Sequence, residues 1–96
     1  MLQSIVEKRI NEEKSVLLVE KIRNKIGDYS QIYYDGAIKC LEDFPVKENI
    51  IAYNTYLKEK RVESKIHIDS EYYQGVSEAL DILTDILNEV LYEIED

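Results

Sequence analysis

Three carboxylates in the last third of the sequence have a spacing that could bind a metal ion. Glu78, Asp81 and Asp85 are three and four residues apart, so a helix would place them on one face. Hard cations such as Mg²⁺ prefer carboxylate ligands, and a hydrolytic site of this kind needs a second acidic motif on a facing helix. Glu12 and Glu13 are not followed by the further carboxylate that such a motif requires. The pattern therefore gives only weak support to metal-dependent chemistry.

The single cysteine and the single histidine do not form a recognisable catalytic or metal-binding pair. Cys40 and His67 lie far apart, and the sequence contains no second cysteine for a disulfide or a zinc cluster. We expect Cys40 to pack as a small apolar residue. Glycine-rich phosphate loops and the common hydrolase motifs do not occur. We predict no catalytic residues, no metal, no cofactor and no enzymatic activity, and the lone thiol fits a cytoplasmic location.

The acidic residues follow a clearer pattern than the candidate catalytic groups do. The 20 acidic and 12 basic side chains give a net charge of -8, and residues 69–96 contain nine carboxylates without a lysine or arginine. Such a charge disfavours direct binding to nucleic acid. Five carboxylates recur at helical spacing and form a predicted acidic stripe: Glu78, Asp81, Asp85, Glu89 and Glu93. The stripe is interpreted as a contact for a basic protein, as a mimic of a nucleic-acid backbone, or as a solvated face.

Tyrosine is enriched, with eight tyrosines beside one phenylalanine and no tryptophan. Tyrosine is common in binding surfaces because it offers a large contact area and a polar tip. We expect Tyr34 and Tyr73 to lie in the core. The candidates for an aromatic partner-binding patch are Tyr33, Tyr53, Tyr56 and Tyr72. The alternative is that these rings line the edge of a small core with their hydroxyl groups hydrogen-bonded.

Helices are the elements that must position these residues, because one proline and three glycines are the main interruptions of the chain. We expect Gly27 to end the first helix, Asp28 to cap the second, and Pro45 to lie in the first turn of the third. The predicted fold is all-α, either a four-helix bundle or two helical hairpins with a long C-terminal amphipathic helix. Residues 1–96 are predicted to form one domain with helices at about 3–26, 29–43, 46–63 and 70–95.

The fourth helix carries seven residues, mostly aliphatic, that alternate spacings of three and four. They are Tyr73, Val76, Leu80, Leu83, Leu87, Val90 and Ile94. This heptad row is typical of a helix-packing seam. It is interpreted either as the core of the bundle or as the seam of a homo-oligomer, with a dimer favoured. Oligomerisation would help a chain of this size, which buries only about 60% of its unfolded surface.

The second and fourth helices contain related twelve-residue segments that begin at Tyr33 and Tyr72, with four identical positions. Gly36 and Gly75 are among the identities, and a glycine inside a helix costs about 1 kcal/mol relative to alanine. The glycines therefore indicate close helix packing or a pair of docking grooves. The motif Tyr-Tyr-x-Gly-x3-Ala-Leu, from Tyr72 to Leu80, resembles helices of small phage and prophage accessory proteins. This resemblance implies no catalytic residue, and stoichiometric inhibitors of host or defence proteins are common in that group.

The first functional hypothesis is thus a non-enzymatic, acidic, cytoplasmic helical protein that binds another protein. The alternative is an oligomeric binder of a small anionic, nucleotide-like ligand. Its candidate contacts are basic residues of the first and third helices: Lys21, Arg23, Lys25, Lys58, Lys60 and Arg61. A Mg²⁺-dependent enzyme similar to helical nucleotide pyrophosphatases is the least favoured. No membrane association is expected, because the uncharged runs are far shorter than a bilayer span and the first residues lack an apolar signal core.

Overall fold

The computed structural model describes residues 2–23 and 30–95, and for residues 93–95 it describes the backbone only. No strand occurs in these ranges, and the regular elements are four helices: α1 (Leu2–Arg23), α2 (Gln31–Glu42), α3 (Ile50–Ile66) and α4 (Glu71–Glu95). Helix α2 packs most extensively against α4, while α1 contacts both of them and α3 contacts α4. The prediction of an all-α four-helix bundle is confirmed.

Side-chain caps determine where α2 and α3 begin. The Ser30 hydroxyl accepts a hydrogen bond of 3.2 Å, and the Asn49 side-chain carbonyl one of 3.0 Å, each from the amide three residues further on. Each cap supplies a partner to an amide that the first helical turn leaves without one. Helix α2 therefore begins after Ser30, two residues later than predicted. Gly27 and Asp28, which were predicted to end one helix and cap the next, lie outside the described residues.

The segment around Pro45 is a turn, and the prediction that it forms the first turn of the third helix is wrong. The Pro45 carbonyl accepts a hydrogen bond from the Glu48 amide at 3.0 Å. The Val46 amide donates to the Phe44 carbonyl at 2.8 Å, a bond between neighbours two residues apart that an α-helix does not contain. Helix α3 then begins at residue 50 rather than 46, because the Asn49 side chain caps its first turn.

Helix α3 also continues beyond its predicted end at residue 63. Ser64 is buried, and its hydroxyl donates to the Tyr73 carbonyl of α4 at 3.2 Å. This bond gives a polar side chain a partner inside the α3–α4 contact. The last turn of α3 is therefore stabilised by packing, which the polar sequence of that turn did not indicate.

The two glycines of the internal repeat lie where α2 and α4 cross. A methyl group on Gly36 would overlap the backbone carbonyl of Tyr72, and a methyl group on Gly75 would overlap that of Tyr33. Tyr33 and Tyr72 occupy equivalent positions of the repeat, as the two glycines do. Each helix therefore makes the same close contact with the other. The repeat produces tight packing of α2 against α4, and of the two interpretations of the glycines the structure supports close packing.

The heptad row of α4 is buried within the single chain. Five of its members are at most 5% exposed: Val76, Leu80, Leu83, Leu87 and Val90. Side chains of α1, α2 and α3 belong to the same core cluster, among them Val6, Ile10, Ala37, Leu41 and Tyr53. The assignment of this row to an oligomer seam is corrected accordingly, since side chains of the same chain already cover it. Tyr73 is half buried, and the side chain of Ile94 lies outside the described residues.

Candidate functional site

The predicted acidic stripe lies on an exposed face of α4. Four of its carboxylate side chains are exposed in the described part of the chain: Glu78, Asp81, Asp85 and Glu89. The side chain of the fifth, Glu93, lies outside the described residues. The burial of the heptad row on the opposite side of α4 explains this exposure, because a helix with one apolar face turns its other face to solvent.

Two carboxylates of the stripe connect α4 to its neighbours. The Arg61 guanidinium of α3 donates to the Asp81 carboxylate and to the Thr84 hydroxyl, both at 3.2 Å. The Arg9 guanidinium of α1 donates to the Glu89 carboxylate, and this hydrogen bond raises the pKa of Arg9. Exposed ion pairs of this kind contribute little to stability. Their effect is to place a positive charge beside Asp81 and beside Glu89.

Glu78 and Asp85 differ from these two carboxylates because neither has an ion pair within the described residues. They are seven residues apart, so their backbone positions are separated by about 10 Å along the helix axis and lie on nearly the same side. Helix α4 contains no lysine or arginine. At Glu78 and Asp85 the acidic stripe therefore presents carboxylates that α4 itself cannot neutralise.

Two of the four tyrosines proposed for a partner-binding patch are held by backbone carbonyls instead. Tyr53 is 0% exposed, and its hydroxyl donates to the Val46 carbonyl at 2.7 Å. The Tyr56 hydroxyl donates to the Cys40 carbonyl of α2, also at 2.7 Å, and its side chain is half buried. A satisfied hydroxyl lets a tyrosine enter the core without leaving a polar group unpaired. Tyr53 is thus a core residue, and Tyr56 links α3 to α2.

The other two tyrosines, Tyr33 and Tyr72, are half buried at the α2–α4 crossing. Their rings lie edge-on to those of Tyr34 and Tyr73, with centroid distances of 5.4 and 5.5 Å. Tyr34 is buried, as predicted for a core residue. The rings of Tyr33 and Tyr72 therefore pack within the chain and present only part of their area to solvent.

A small cleft between α2, α3 and α4 collects polar groups that the sequence analysis did not connect. It has a volume of about 120 Å³, and its lining includes Cys40, Tyr56 and Lys60. The Tyr73 hydroxyl donates to the Glu63 carboxylate at 2.8 Å, and the Lys60 ammonium lies 3.4 Å from the same carboxylate. Tyr56, Lys60 and Glu63 are four and three residues apart, and this spacing was the sequence signal for a shared face of α3.

Four groups in this cleft have shifted pKa values. Burial raises the pKa of the Cys40 thiol and also that of the Tyr56 hydroxyl. The Tyr73–Glu63 hydrogen bond lowers the pKa of the Glu63 carboxyl and raises that of Tyr73. A nucleophilic thiol needs a lowered pKa, and a general acid or base needs a pKa close to the working pH. All four shifts move the pKa values away from these ranges, and the contacts observed for these groups are hydrogen bonds within the chain.

Three of the six basic residues proposed to bind an anionic ligand are already paired. The side chains of Lys21, Lys60 and Arg61 each form an ion pair with a carboxylate of the same chain. Of the other three, Arg23 and Lys58 are exposed, and Lys25 lies outside the described residues. A phosphate-bearing ligand would have to displace a carboxylate from each of the three paired cations.

The single histidine is on the surface and contacts an aromatic ring. His67 stacks on Tyr73 with a centroid distance of 4.7 Å. Within residues 2–23 and 30–95, no three His, Cys, Asp or Glu side chains are grouped in a way that could hold a metal ion. In the same ranges, no helix combines the length and the apolar character that crossing a bilayer requires.

Comparison of the chain with protein-family profiles, with curated proteins and with solved structures finds no match. No activity or partner can thus be carried over from a relative. Any functional assignment rests on the surfaces and contacts of this chain.

Proposed function

We propose that this protein acts without catalysis, by binding a second protein that presents a basic surface. The proposed contact is the acidic stripe of α4, and Glu78 and Asp85 are its main contact residues. The observation that supports this proposal is that these two exposed carboxylates lack an ion pair in the described part of the chain, on a helix without basic residues. A basic partner would supply the missing counter-charges.

The neighbouring carboxylates should also make the acidic stripe selective for partners with a particular spacing of basic side chains. Asp81 and Glu89 each lie beside an arginine, so the open negative charge is concentrated at two points about 10 Å apart. Two basic side chains seven residues apart on a partner helix would match that separation. Charge complementarity of this kind mainly raises the association rate and the specificity. It is screened beyond about 8 Å at physiological ionic strength, so binding should weaken as salt is added.

Inhibition is the outcome that we propose for such binding. A protein that covers a basic surface excludes nucleic acid or other acidic ligands from it. The resemblance to phage accessory proteins suggests that the target is a host or defence protein in the cytoplasm. Tyr72 and Gly75 of that motif lie at the crossing of α4 with α2, and Tyr73 contacts Glu63 of α3. The motif therefore supports the packing of α4, while the acidic stripe supports the proposed binding.

The proposal can be tested with a short fluorescent poly-lysine peptide as the probe. Its affinity for the whole protein would be measured by fluorescence anisotropy at low and at physiological ionic strength. The double variant Glu78→Gln/Asp85→Asn should weaken binding by about fivefold at low ionic strength, as expected for the loss of two exposed charge contacts. Both side chains are exposed, so the variant should retain the helical circular dichroism of the original protein.

The matched control is Glu7→Gln/Glu20→Gln on α1, which changes the net charge by the same amount at two exposed positions. We expect this control to weaken binding by less than about twofold. An equal loss of affinity in the two variants would mean that the peptide responds only to net charge. That result would refute the acidic stripe as the contact surface.

A further inference from the structure

Helix α1 carries a row of residues at heptad spacing that faces away from the core. Val16 and Val19 are 51% and 45% exposed. Glu12 and Arg23 are exposed as well, and the four residues follow one another at spacings of four, three and four. This is the spacing of a helix-packing seam. We name Glu12, Val16, Val19 and Arg23 the outward row; it has an apolar centre, an acid at one end and a base at the other.

The surface around the two valines is open to solvent. Ser15, Glu20 and Arg23 border them in a shallow depression of about 340 Å³ on the outside of α1. The core-facing side of α1 is elsewhere, since its buried residues are Val6, Ile10 and Leu17. The described residues of the bundle thus leave the valines of the outward row more than two-fifths exposed.

We propose that the outward row binds the outward row of a second copy of this chain, with the two α1 helices antiparallel. A symmetric dimer contact must be complementary to itself. If Val16 of one copy lies opposite Val19 of the other, the two residue numbers of every facing pair add up to 35. Glu12 then lies opposite Arg23 at both ends of the contact. The four valines form the centre, and two ion pairs close the ends.

The charges of the row favour a second antiparallel copy over a parallel one or a uniformly charged partner, and the Glu12 carboxylate also lies 3.8 Å from the Arg9 guanidinium of its own chain. In a parallel dimer, Glu12 would face Glu12 and Arg23 would face Arg23, so both ends would repel. A uniformly basic or uniformly acidic partner would meet repulsion at one of the two ends. In the antiparallel orientation, a second copy places an arginine opposite a glutamate at both ends of the contact. This arrangement also uses a surface separate from the acidic stripe, so its failure would leave the proposed function untouched.

The contact is short, and its length determines the expected behaviour of the dimer. The segment from Glu12 to Arg23 is about 17 Å long. An interface of this length buries less surface than an obligate dimer does, so the dimer should dissociate on dilution. The small size of the chain adds a reason for association, because covering exposed valines increases the apolar surface removed from water.

Sedimentation velocity over a range of concentrations tests the proposal with the whole protein. The unmodified chain should shift from monomer to dimer as its concentration rises. The double variant Val16→Lys/Val19→Lys should weaken dimerisation by roughly tenfold or more, because it places charges at the apolar centre. The matched control is Ile51→Lys on α3, an apolar residue that is 71% exposed and lies outside the outward row. That control should dimerise as the original does.

A charge swap tests the antiparallel pairing. Glu12→Arg or Arg23→Glu alone places like charges opposite each other at both ends and should weaken dimerisation by about fivefold. The double variant Glu12→Arg/Arg23→Glu should restore the original constant to within about twofold. A monomer at every concentration, an effect of Ile51→Lys equal to that of the valine variant, unaffected single variants, or a double variant no better than the singles would each overturn the proposal.

Discussion

Helices α4 and α1 both carry apolar residues at heptad spacing, yet only the row of α4 lies in the core of this chain. From Val76 to Val90 the row of α4 contains no charged residue, and it is buried. In α1 the outward row includes Glu12 and Arg23, and its valines are exposed. In this chain the row without charged residues is buried, whereas the row that includes charged residues is exposed.

The position of each helix in the bundle explains the difference. Helix α4 has α1, α2 and α3 as neighbours, so its wide apolar face is covered from several directions. Helix α1 has α2 and α4 as neighbours, and both lie on its core-facing side. A central helix needs apolar residues around much of its circumference, whereas a peripheral helix buries a single stripe. The additional apolar residues of α1 are therefore the ones that the proposed dimer would cover.

The largest expected difference between the two helices is in the stability lost when a leucine in each is replaced by alanine. Leu83→Ala in α4 removes a fully buried side chain and should destabilise the fold by about 3 kcal/mol. Leu18→Ala in α1 removes a side chain that is 46% exposed and should cost less than about 1 kcal/mol. Urea unfolding followed by circular dichroism measures both. Similar costs at the two positions would mean that α1 and α4 are equally covered in solution, contrary to the comparison.

A smaller effect should come from a methyl group added at the α2–α4 crossing. In Gly75→Ala the new methyl group would overlap the Tyr33 carbonyl, and the helices would have to separate. We expect a net destabilisation of about 2 kcal/mol, although alanine favours a helix over glycine by about 1 kcal/mol. The measurement is again the free energy of unfolding from urea titrations.

The control for this substitution is Ser15→Ala on α1, where the side chain is exposed. It exchanges a weaker helix former for alanine without a new contact, so it should be neutral or slightly stabilising. If Gly75→Ala also stabilised the protein, the two helices could separate without losing packing energy. The close crossing would then not be what holds α2 against α4.

The fold was predictable because its signals are long and agree with one another. The heptad row of α4 extends over several turns, and its burial follows from the absence of charged residues within the row itself. The start of α3 was less predictable, because Pro45 and Asn49 are both common near helix starts and only the observed cap at Asn49 distinguishes them. The start of a helix depends on a few residues whose preferences can disagree. A periodic row contains many residues that all indicate the same buried face.

In the candidate site, the predictable features were those side chains whose exposure follows from the periodicity of their helix. The exposed acidic stripe follows directly, because it lies opposite a buried row on the same helix. The arginines beside it do not, since Arg61 and Arg9 reach α4 through the tertiary arrangement of α3 and α1. The partner of the Tyr53 hydroxyl does not follow either, since the Val46 carbonyl that accepts its hydrogen bond lies in the preceding turn, and helical periodicity does not identify it.

The smallest effect concerns the edge of α4 that faces α3, where the Tyr73 hydroxyl donates to Glu63. This bond lowers the pKa of Glu63 below its usual value. A carboxyl group whose pKa is lowered by folding stabilises the fold above the pKa of the unfolded chain, which is about 4.3. That contribution is lost as the pH falls through the pKa of the folded state. Tyr73→Phe should therefore lower the stability slightly near pH 7 and less near pH 3.

Urea titrations of the original protein and of Tyr73→Phe at these two pH values measure the difference. In a Glu63→Gln background no ionisable partner remains, so the effect of Tyr73→Phe should no longer depend on pH. Because both side chains lie near the surface, the change should be smaller than that at Leu83 or Gly75. A pH-independent effect in the original background would show that the tyrosine contributes through the packing of its ring. The α3–α4 edge would then be held by apolar contacts, as the rest of α4 is.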